Sequence, residues 1–345
     1  MSERKNERIW PVSVAPMMDW TDRHFRYFMR QITKKTLLYT EMITAEAILR
    51  GDRSFLLDYS PEEHPIVFQI GGNCPDKLFE AAKIVEDWGY DEINLNVGCP
   101  SGKVSQANFG ACLMAEPDTV ARAIESMQKA VEIPVTVKHR IGIDGLERYE
   151  DLHRFVSIVK ESGCRRFIVH ARIAILGGLS PKENRTIPPI RYNDVYQLKE
   201  DFPELIIEIN GQVKTISQIQ EHLEKVDSVM IGRAAYEDPF LFSTVDHQFF
   251  GEPSSQITRE EVIEKMIPYI NDWFERGKSC HYIVRHMLGL WKGQPGARKW
   301  RRLLSEHSKQ KLSPKHLENA LSEMRDIRAQ LLATQQQSQS SSVSI

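Results

Sequence analysis

Residues 91–114 read DEINLNVGCPSGKVSQANFGACLM. The stretch opens as a short apolar strand, leaves it through Asn96, Gly98, Cys99 and Pro100, and stays rich in small and polar residues for a dozen positions. Gly98 and Pro100 shape a turn at the strand end, and proline removes one backbone donor there. The thiol of Cys99 is therefore presented at a loop edge, where a packed cysteine would sit inside the strand.

The same grammar recurs on either side. Apolar runs at Val12–Met17, Leu37–Glu41, Ile66–Gly71, Ile93–Val97, Val135–His139, Phe167–His170, Leu205–Asn210 and Ser228–Ile231 make eight strand candidates. Most are continuous rather than alternating, as parallel strands buried on both faces require. Amphipathic helical patterns lie between most of them. PDKLFEAAKIVEDWG sets Leu78, Ala81, Ala82 and Val85 on one stripe and stops at Gly89. EPDTVARAIESMQKAV places Pro117 near its first turn with Asp118 beside it. Eight βα units over ~230 residues point to a (β/α)8 TIM barrel. An open doubly wound sheet is the rival, but no GxGxxG follows the first strand.

With 345 residues, the chain has room for one large domain and a smaller one. The polar segment 1–11 carries no apolar core of a signal peptide, and no apolar run reaches the ~18 residues of a membrane span. Past the barrel (12–245) the linker GEPSSQIT leads into helical patterns at Arg259–Arg276, Cys280–Trp291, Ala297–Glu306 and Pro314–Leu332. These define a small all-α domain, 246–333, ahead of a low-complexity tail, 334–345, read as disordered. The five cysteines lack zinc-type spacing, so the reading is a reduced, cytoplasmic protein without a metal site; a monomer with no membrane partner is the further expectation.

A net charge of −2 argues against a uniformly basic nucleic-acid binder, but it hides a local excess. Between Lys278 and Lys311 stand nine Lys or Arg residues and one acid, Glu306. Solvated faces usually mix signs, so this imbalance suits phosphate contact. Arg298, Arg301 and Arg302 fall on one helical face, and Lys278, Arg285 and Lys292 are expected to share a face of the preceding helix.

Chemistry in a TIM barrel sits where strands end. Here those ends carry Pro16, Met17 and Met18 after strand one, Gln69 after three, Asn96 and Cys99 after four, Lys138 and Arg140 after five, and His170 and Arg172 after six. Strand seven ends in Asn210–Gly211, with Gln212 next, and strand eight in Gly232–Arg233. Loops after strands seven and eight are the usual phosphate site of this fold. A lysine fixed near a conjugated ring suits a flavin, whose reduction places negative charge on one ring edge. The residues themselves reach a phosphate-bearing cofactor, with FMN as one candidate.

INLNVGCPSGKVSQANFGA (93–111) resembles the signature of the tRNA-dihydrouridine synthases. HARIAILGGLSPKENRTIPPIRY and VDSVMIGRAAYEDP narrow the likeness to the synthase A subfamily, over about residues 10–310. The resemblance implies a flavin barrel with a helical tRNA-binding domain, FMN as bound cofactor, NADPH as reductant, and reduction of the uracil C5=C6 bond at D-loop positions 20 and 20a. It implies Cys99 as proton donor to C5. It makes Pro16, Met17, Met18, Gln69, Lys138, His170, Asn210, Gly211, Gln212, Gly232 and Arg233 the FMN contacts, and Asn96, Lys182, Arg185, Arg298 and Arg301 the tRNA contacts. A thiol titrating near ~8.5 keeps its proton at neutral pH and can release it, which an ordinary carboxylic acid cannot.

One position departs from the family pattern, which reads Asn-Gly-Gly after strand seven; here the third residue is Gln212. A backbone N–H alone survives that change. If φ is positive there, the substitution costs about 1 kcal/mol or more.

Overall fold

The computed structural model describes residues 8–254, 256–305 and 313–342. Residues 1–7 of the polar N-terminal segment and residues 343–345 of the tail lie outside the described residues, as do Glu306, Lys309 and Lys311 of the basic stretch. By contact the chain divides into two units: the chain through Arg23 together with Lys35–Gly232, and His24–Lys34 together with Arg233 onward.

In the first unit, eight parallel strands form a barrel. They are β1 (Val12–Val14), β2 (Leu38–Tyr39), β3 (Ile66–Gly71), β4 (Glu92–Val97), β5 (Val135–Arg140), β6 (Arg166–His170), β7 (Ile206–Asn210) and β8 (Ser228–Ile231). Each pairs with its sequence neighbour from β3 through β8, and β2 pairs with β3. β1 pairs with β8, and its other edge closes on Leu37 through Val14 N–H to Leu37 O at 2.9 Å and Leu37 N–H to Val12 O at 3.2 Å. The eight strands expected from apolar runs are the eight found. A further two-residue strand, Ile43–Thr44, pairs with the end of β3.

β3 and β4 are buried at every position: β3 is an almost continuous apolar run, whereas β4 alternates Glu92, Asn94 and Asn96 with Ile93, Leu95 and Val97 and buries both sets. The helix Pro75–Trp88 buries Leu78, Ala81, Ala82 and Val85 and ends at Gly89, whose φ of 99° is the left-handed stop. Pro117–Ala130 buries Val120, Ala123, Ile124 and Met127. Each fully buried Leu, Val, Ile or Met side chain among these contributes about 1.5–3 kcal/mol.

The interior of the barrel is not wholly apolar. Arg166 on β6 donates to Glu92 on β4 at 3.2 Å and to Glu208 on β7 at 2.6 Å, and Ser13 on β1 donates to the other oxygen of Glu208. Thr136 on β5 donates to Glu92 at 2.7 Å and accepts from Asn94 on β4 at 3.0 Å. These residues are all buried. Burial opposes the charge of Arg166, but Glu208, Tyr39 and Glu92 outweigh it and hold the guanidinium protonated, whereas burial raises the Glu92 carboxyl.

In the second unit, Arg259–Glu275 starts with a Thr258–Glu261 capping box and lies along Pro314–Ser342, joined by Arg328–Glu260 at 3.0 Å and by Arg325–Glu264. Tyr27 stacks on Tyr269 with ring centres 3.8 Å apart. The expected helix Cys280–Trp291 is not continuous. It is a short helix, His281–Val284, then a single 3-10 turn, Arg285–Met287, then turns. The Trp300 indole N–H donates to the Met287 carbonyl at 2.8 Å. Gly289 lies so close to the carbonyls of Tyr236 and Glu237 that a Cβ there would come within 2.8 and 2.7 Å of them. Lys278 stands outside the short helix, so Lys278, Arg285 and Lys292 do not form the expected helical face. Among the described residues no helix is long and apolar enough to cross a membrane.

Candidate functional site at the strand ends

The register of the barrel brings the polar strand ends into rows. Asn96 of β4 lies beside Lys138 of β5, and Arg140 of β5, His170 of β6 and Asn210 of β7 are successive neighbours. Lys138 Nζ donates to Asn210 Oδ1 at 3.2 Å, and Asn210 Nδ2 donates to the Met230 carbonyl at 2.9 Å. Thus β5, β7 and β8 are tied at their C-terminal ends by one lysine and one amide.

Asn96 organises the turn that carries the thiol. Its Oδ1 accepts the backbone N–H of Gly98 at 3.1 Å and of Cys99 at 3.0 Å, an Asx-type turn, and its Nδ2 donates to Gln69 Oε1 at 2.9 Å. Gln69 Nε2 donates in turn to Asn94 Oδ1 at 2.8 Å, which leads into the interior ring of Thr136, Glu92 and Arg166. A hydrogen-bonded column therefore runs from Ser13 in the barrel to the amide of Cys99. The Cys99 carbonyl accepts from Ala111 N–H at 2.9 Å. Gly110 makes that approach possible: its φ is +76°, and a Cβ would sit 2.7 Å from the Cys99 oxygen and 2.5 Å from Val104 Cγ1.

The electrostatics of the site are cationic. Burial pulls the Lys138 ammonium down to about 8, and the neighbouring Arg140 adds to the effect. His170 is held well below the ordinary imidazole value, first by burial and then by Arg140, Lys138, Arg172 and Arg185. His170 is thus a neutral donor and acceptor among cations, and an anionic group bound there would relieve their mutual repulsion. A Cβ built on Gly211 would stand 3.4 Å from His170 Cδ2, so that loop packs directly on the imidazole. Gly232 is open: a Cβ there would meet only Ala15 Cβ, at 3.9 Å. Gln212 has φ of 54°, so the departure from glycine falls on a left-handed backbone position.

Pro16, Met17 and Met18 occupy the turn after β1. The Thr21 hydroxyl accepts from Met17 N–H at 2.9 Å, and Met18 is exposed. Lys182 and Arg185 are exposed on the loop after β6, on either side of the buried Asn184. Arg233 opens the helix Arg233–Glu237 and belongs to the second unit. There Arg298 and Arg301 are exposed on Ala297–Ser305, whose other face buries Trp300 and Leu304.

Three positioning elements escaped the sequence reading: Gly110, Asn184, and the interior ring of Ser13, Glu92, Asn94, Thr136, Arg166 and Glu208. The ring did leave a signal, because Glu92, Asn94 and Glu208 interrupt otherwise apolar runs. Asn184 left none, since a polar loop residue is ordinary until its partners are known.

A parallel eight-stranded barrel whose strand ends gather Lys138, Arg140, His170 and Asn210, with Cys99 on a turn held by Asn96, places the chain in the class of (β/α)8 barrel proteins. The family model described as dihydrouridine synthase (Dus) matches residues 13–325. The tRNA-dihydrouridine(20/20a) synthase of Synechocystis sp. is 63% identical over 296 residues, 86% of this chain and 89% of the relative. The protein of that name from Vibrio parahaemolyticus is 54% identical over 298 residues, 86% of this chain and 91% of its own. The one from Pseudomonas aeruginosa is 53% identical over 293 residues, 85% of this chain and 88% of its own. The chain belongs to the dihydrouridine synthase family.

Proposed function

We propose that this chain reduces uridines 20 and 20a of the tRNA D-loop to dihydrouridine, as a cytoplasmic monomer, with FMN bound at the barrel mouth and NADPH as reductant. The single observation that carries the reading is the joining of Cys99 to the cationic strand ends: Asn96 holds the Cys99 amide at 3.0 Å while sitting in register beside Lys138. The relatives' printed names supply the substrate and the positions.

A phosphate-bearing flavin fits the residues present. Gly232 is open where a phosphate would need room, Gly211 and Gln212 offer main-chain N–H groups, and Arg233 a guanidinium. Lys138 and His170, with Pro16, Met17, Met18, Gln69 and Asn210, would line the ring. The bound FMN, once reduced, supplies the hydride for uracil C6.

The chain's own residues do the rest. Cys99 Sγ–H gives its proton to C5 from the face opposite the hydride, so one hydride and one proton add across the double bond and the thiolate is reprotonated from solvent. Asn96 orients the turn, and the tRNA contact that the family likeness implies for it would fall to its second amide hydrogen. Lys138 stabilises negative charge that develops on its neighbours. A uridine has to leave its stack to reach such a site, since both faces of a stacked base are covered. Lys182 and Arg185, with Arg298 and Arg301 of the helical tRNA-binding domain (246–333), hold phosphates and set register without reading sequence.

The test is gentle purification followed by a visible spectrum and dihydrouridine sequencing of tRNA from cells lacking the chain. A yellow protein, loss of dihydrouridine at 20 and 20a, and rescue by the parent but not by Cys99→Ala are expected. A colourless protein, or rescue by Cys99→Ala, would sink the reading.

A further inference from the structure

We infer that Arg140 is a positioning residue that latches the loop bearing Cys99 to the loop bearing Lys182 and Arg185, so that RNA engagement at the second is felt at the thiol. The functional half of this rests on the tRNA-reducing reading above; the latch itself does not.

Arg140 ends β5 and is 3% exposed. Its Nε donates to the Gly98 carbonyl at 3.1 Å, and its Nη1 donates to the carbonyls of Ile173 at 3.0 Å and Asn184 at 2.9 Å. A guanidinium offers five donors in a rigid planar fork. Here three of its bonds go to main-chain oxygens of two separate loops.

The first of those bonds matters because of where it lands. The Gly98 carbonyl and the Cys99 N–H belong to one peptide unit. Arg140 holds its oxygen, and Asn96 Oδ1 holds its nitrogen at 3.0 Å. A peptide plane clamped at both edges cannot rotate, and that plane sets the direction in which the Cys99 side chain leaves the backbone.

At the other end, Asn184 is the knot of its loop. Its Oδ1 accepts from Ile175 N–H at 2.7 Å, and its Nδ2 donates to the carbonyls of Ile175 at 2.9 Å and Leu179 at 3.2 Å. Lys182 and Arg185 stand exposed on either side of it. A force on those two side chains reaches Asn184 along the backbone, then Arg140 and the Gly98–Cys99 peptide through two hydrogen bonds of one guanidinium. Lysine cannot replace this fork, because one ammonium cannot reach carbonyls on both loops in fixed geometry.

The experiment is amide hydrogen exchange on the flavin-loaded protein, read for peptides spanning residues 98–110 and 173–187. Arg140→Lys is expected to speed exchange in both segments together, by about tenfold to a hundredfold for loss of a charge-assisted hydrogen bond. Asn184→Ala, which leaves Arg140 in place and guards against a misfolded Arg140 variant, is expected to speed both as well. Acceleration confined to one segment in either folded variant would overturn the latch.

A kinetic arm separates positioning from mere structure. With pre-reduced Arg140→Lys protein, single-turnover reduction of a tRNA transcript should slow by about 10²-fold, while tRNA affinity and flavin reduction by NADPH stay within a factor of about three. A loss carried entirely by weaker tRNA binding would overturn the coupling. If the parent protein forms no dihydrouridine but both variants loosen both loops, the functional reading fails and the latch stands.

Discussion

The side-chain oxygen of Asn96 accepts the backbone N–H of Cys99 at 3.0 Å, and that bond joins the Cys99 loop to the buried polar column of the barrel. Asn96→Ala leaves the amides of Gly98 and Cys99 without this acceptor, at a cost of about 1–3 kcal/mol where they stay shielded from water. Single-turnover dihydrouridine formation is expected to fall by about 10²-fold with bound flavin retained. Stopped-flow oxidation of the reduced protein by tRNA checks it, and an unaltered rate would remove Asn96 from the positioning of the thiol.

Cofactor binding should depend on pH through Lys138. In the free protein burial brings its ammonium down to about 8, with Arg140 contributing. An anionic ligand favours the ammonium, so the bound-state pKa is higher than the free-state one. Affinity is therefore greatest below pH 8 and declines as pH rises from 8 toward the bound-state value, by up to about tenfold per unit. Titration of deflavinated protein with FMN from pH 6.5 to 9.5, followed by flavin fluorescence, measures this. Lys138→Met should bind less tightly and flatten the profile, and a profile unchanged in Lys138→Met would assign the titration elsewhere.

Gln212 holds a φ of 54°, a conformation that costs a residue with a Cβ about 1–2 kcal/mol. Gln212→Gly should raise the melting temperature by about 2–4 °C for a unit of this size and leave FMN affinity equal or better. Scanning calorimetry decides it. A lower melting temperature would mean that the glutamine side chain contributes more than its backbone costs.

Arg298 and Arg301 are both exposed on the helix that buries Trp300. Replacing either with Ala should weaken tRNA binding across sequences and reduce the slope of log affinity against log salt by about one per residue. Filter binding between 50 and 300 mM salt gives the slope. Weakening without any change in salt dependence would place these arginines outside the phosphate contacts.

Arg166→Met would leave Glu92 and Glu208 buried without their cation, at about 3–5 kcal/mol. Burial already raises the Glu92 carboxyl, and loss of the neighbouring cation would raise it further. The lost stability is accordingly smallest at low pH, where Glu92 can hold its proton, and grows as pH rises through its raised value. Urea melts at pH 5.5 and 8 compare the two. An equal loss at both would show that the arginine's packing, rather than its charge, is what counts.

The barrel was legible from the chain because burial on both faces of a parallel strand favours apolar runs, and eight short apolar-rich runs, most of them continuous, were countable in Val12–Ile231. Helix ends at Gly89 and Pro117 were readable for the same local reason: backbone conformation and missing donors act within a turn. The segment Cys280–Trp291 misled because its helical period is real but weaker than two tertiary demands, the Trp300 indole on Met287 and the close backbone packing of Gly289.

For the candidate site, residue type and strand-end position singled out Cys99, Lys138, His170 and Asn210, and the register sets Arg140, His170 and Asn210 side by side. Their partnerships did not follow from order along the chain. Arg140 meeting Gly98, Ile173 and Asn184, or Glu92 meeting Arg166, depends on the register and curvature that bring residues 33 to 74 positions apart within hydrogen-bond reach. Short-range patterning is written in each segment, whereas geometry across strands exists only once the barrel has closed.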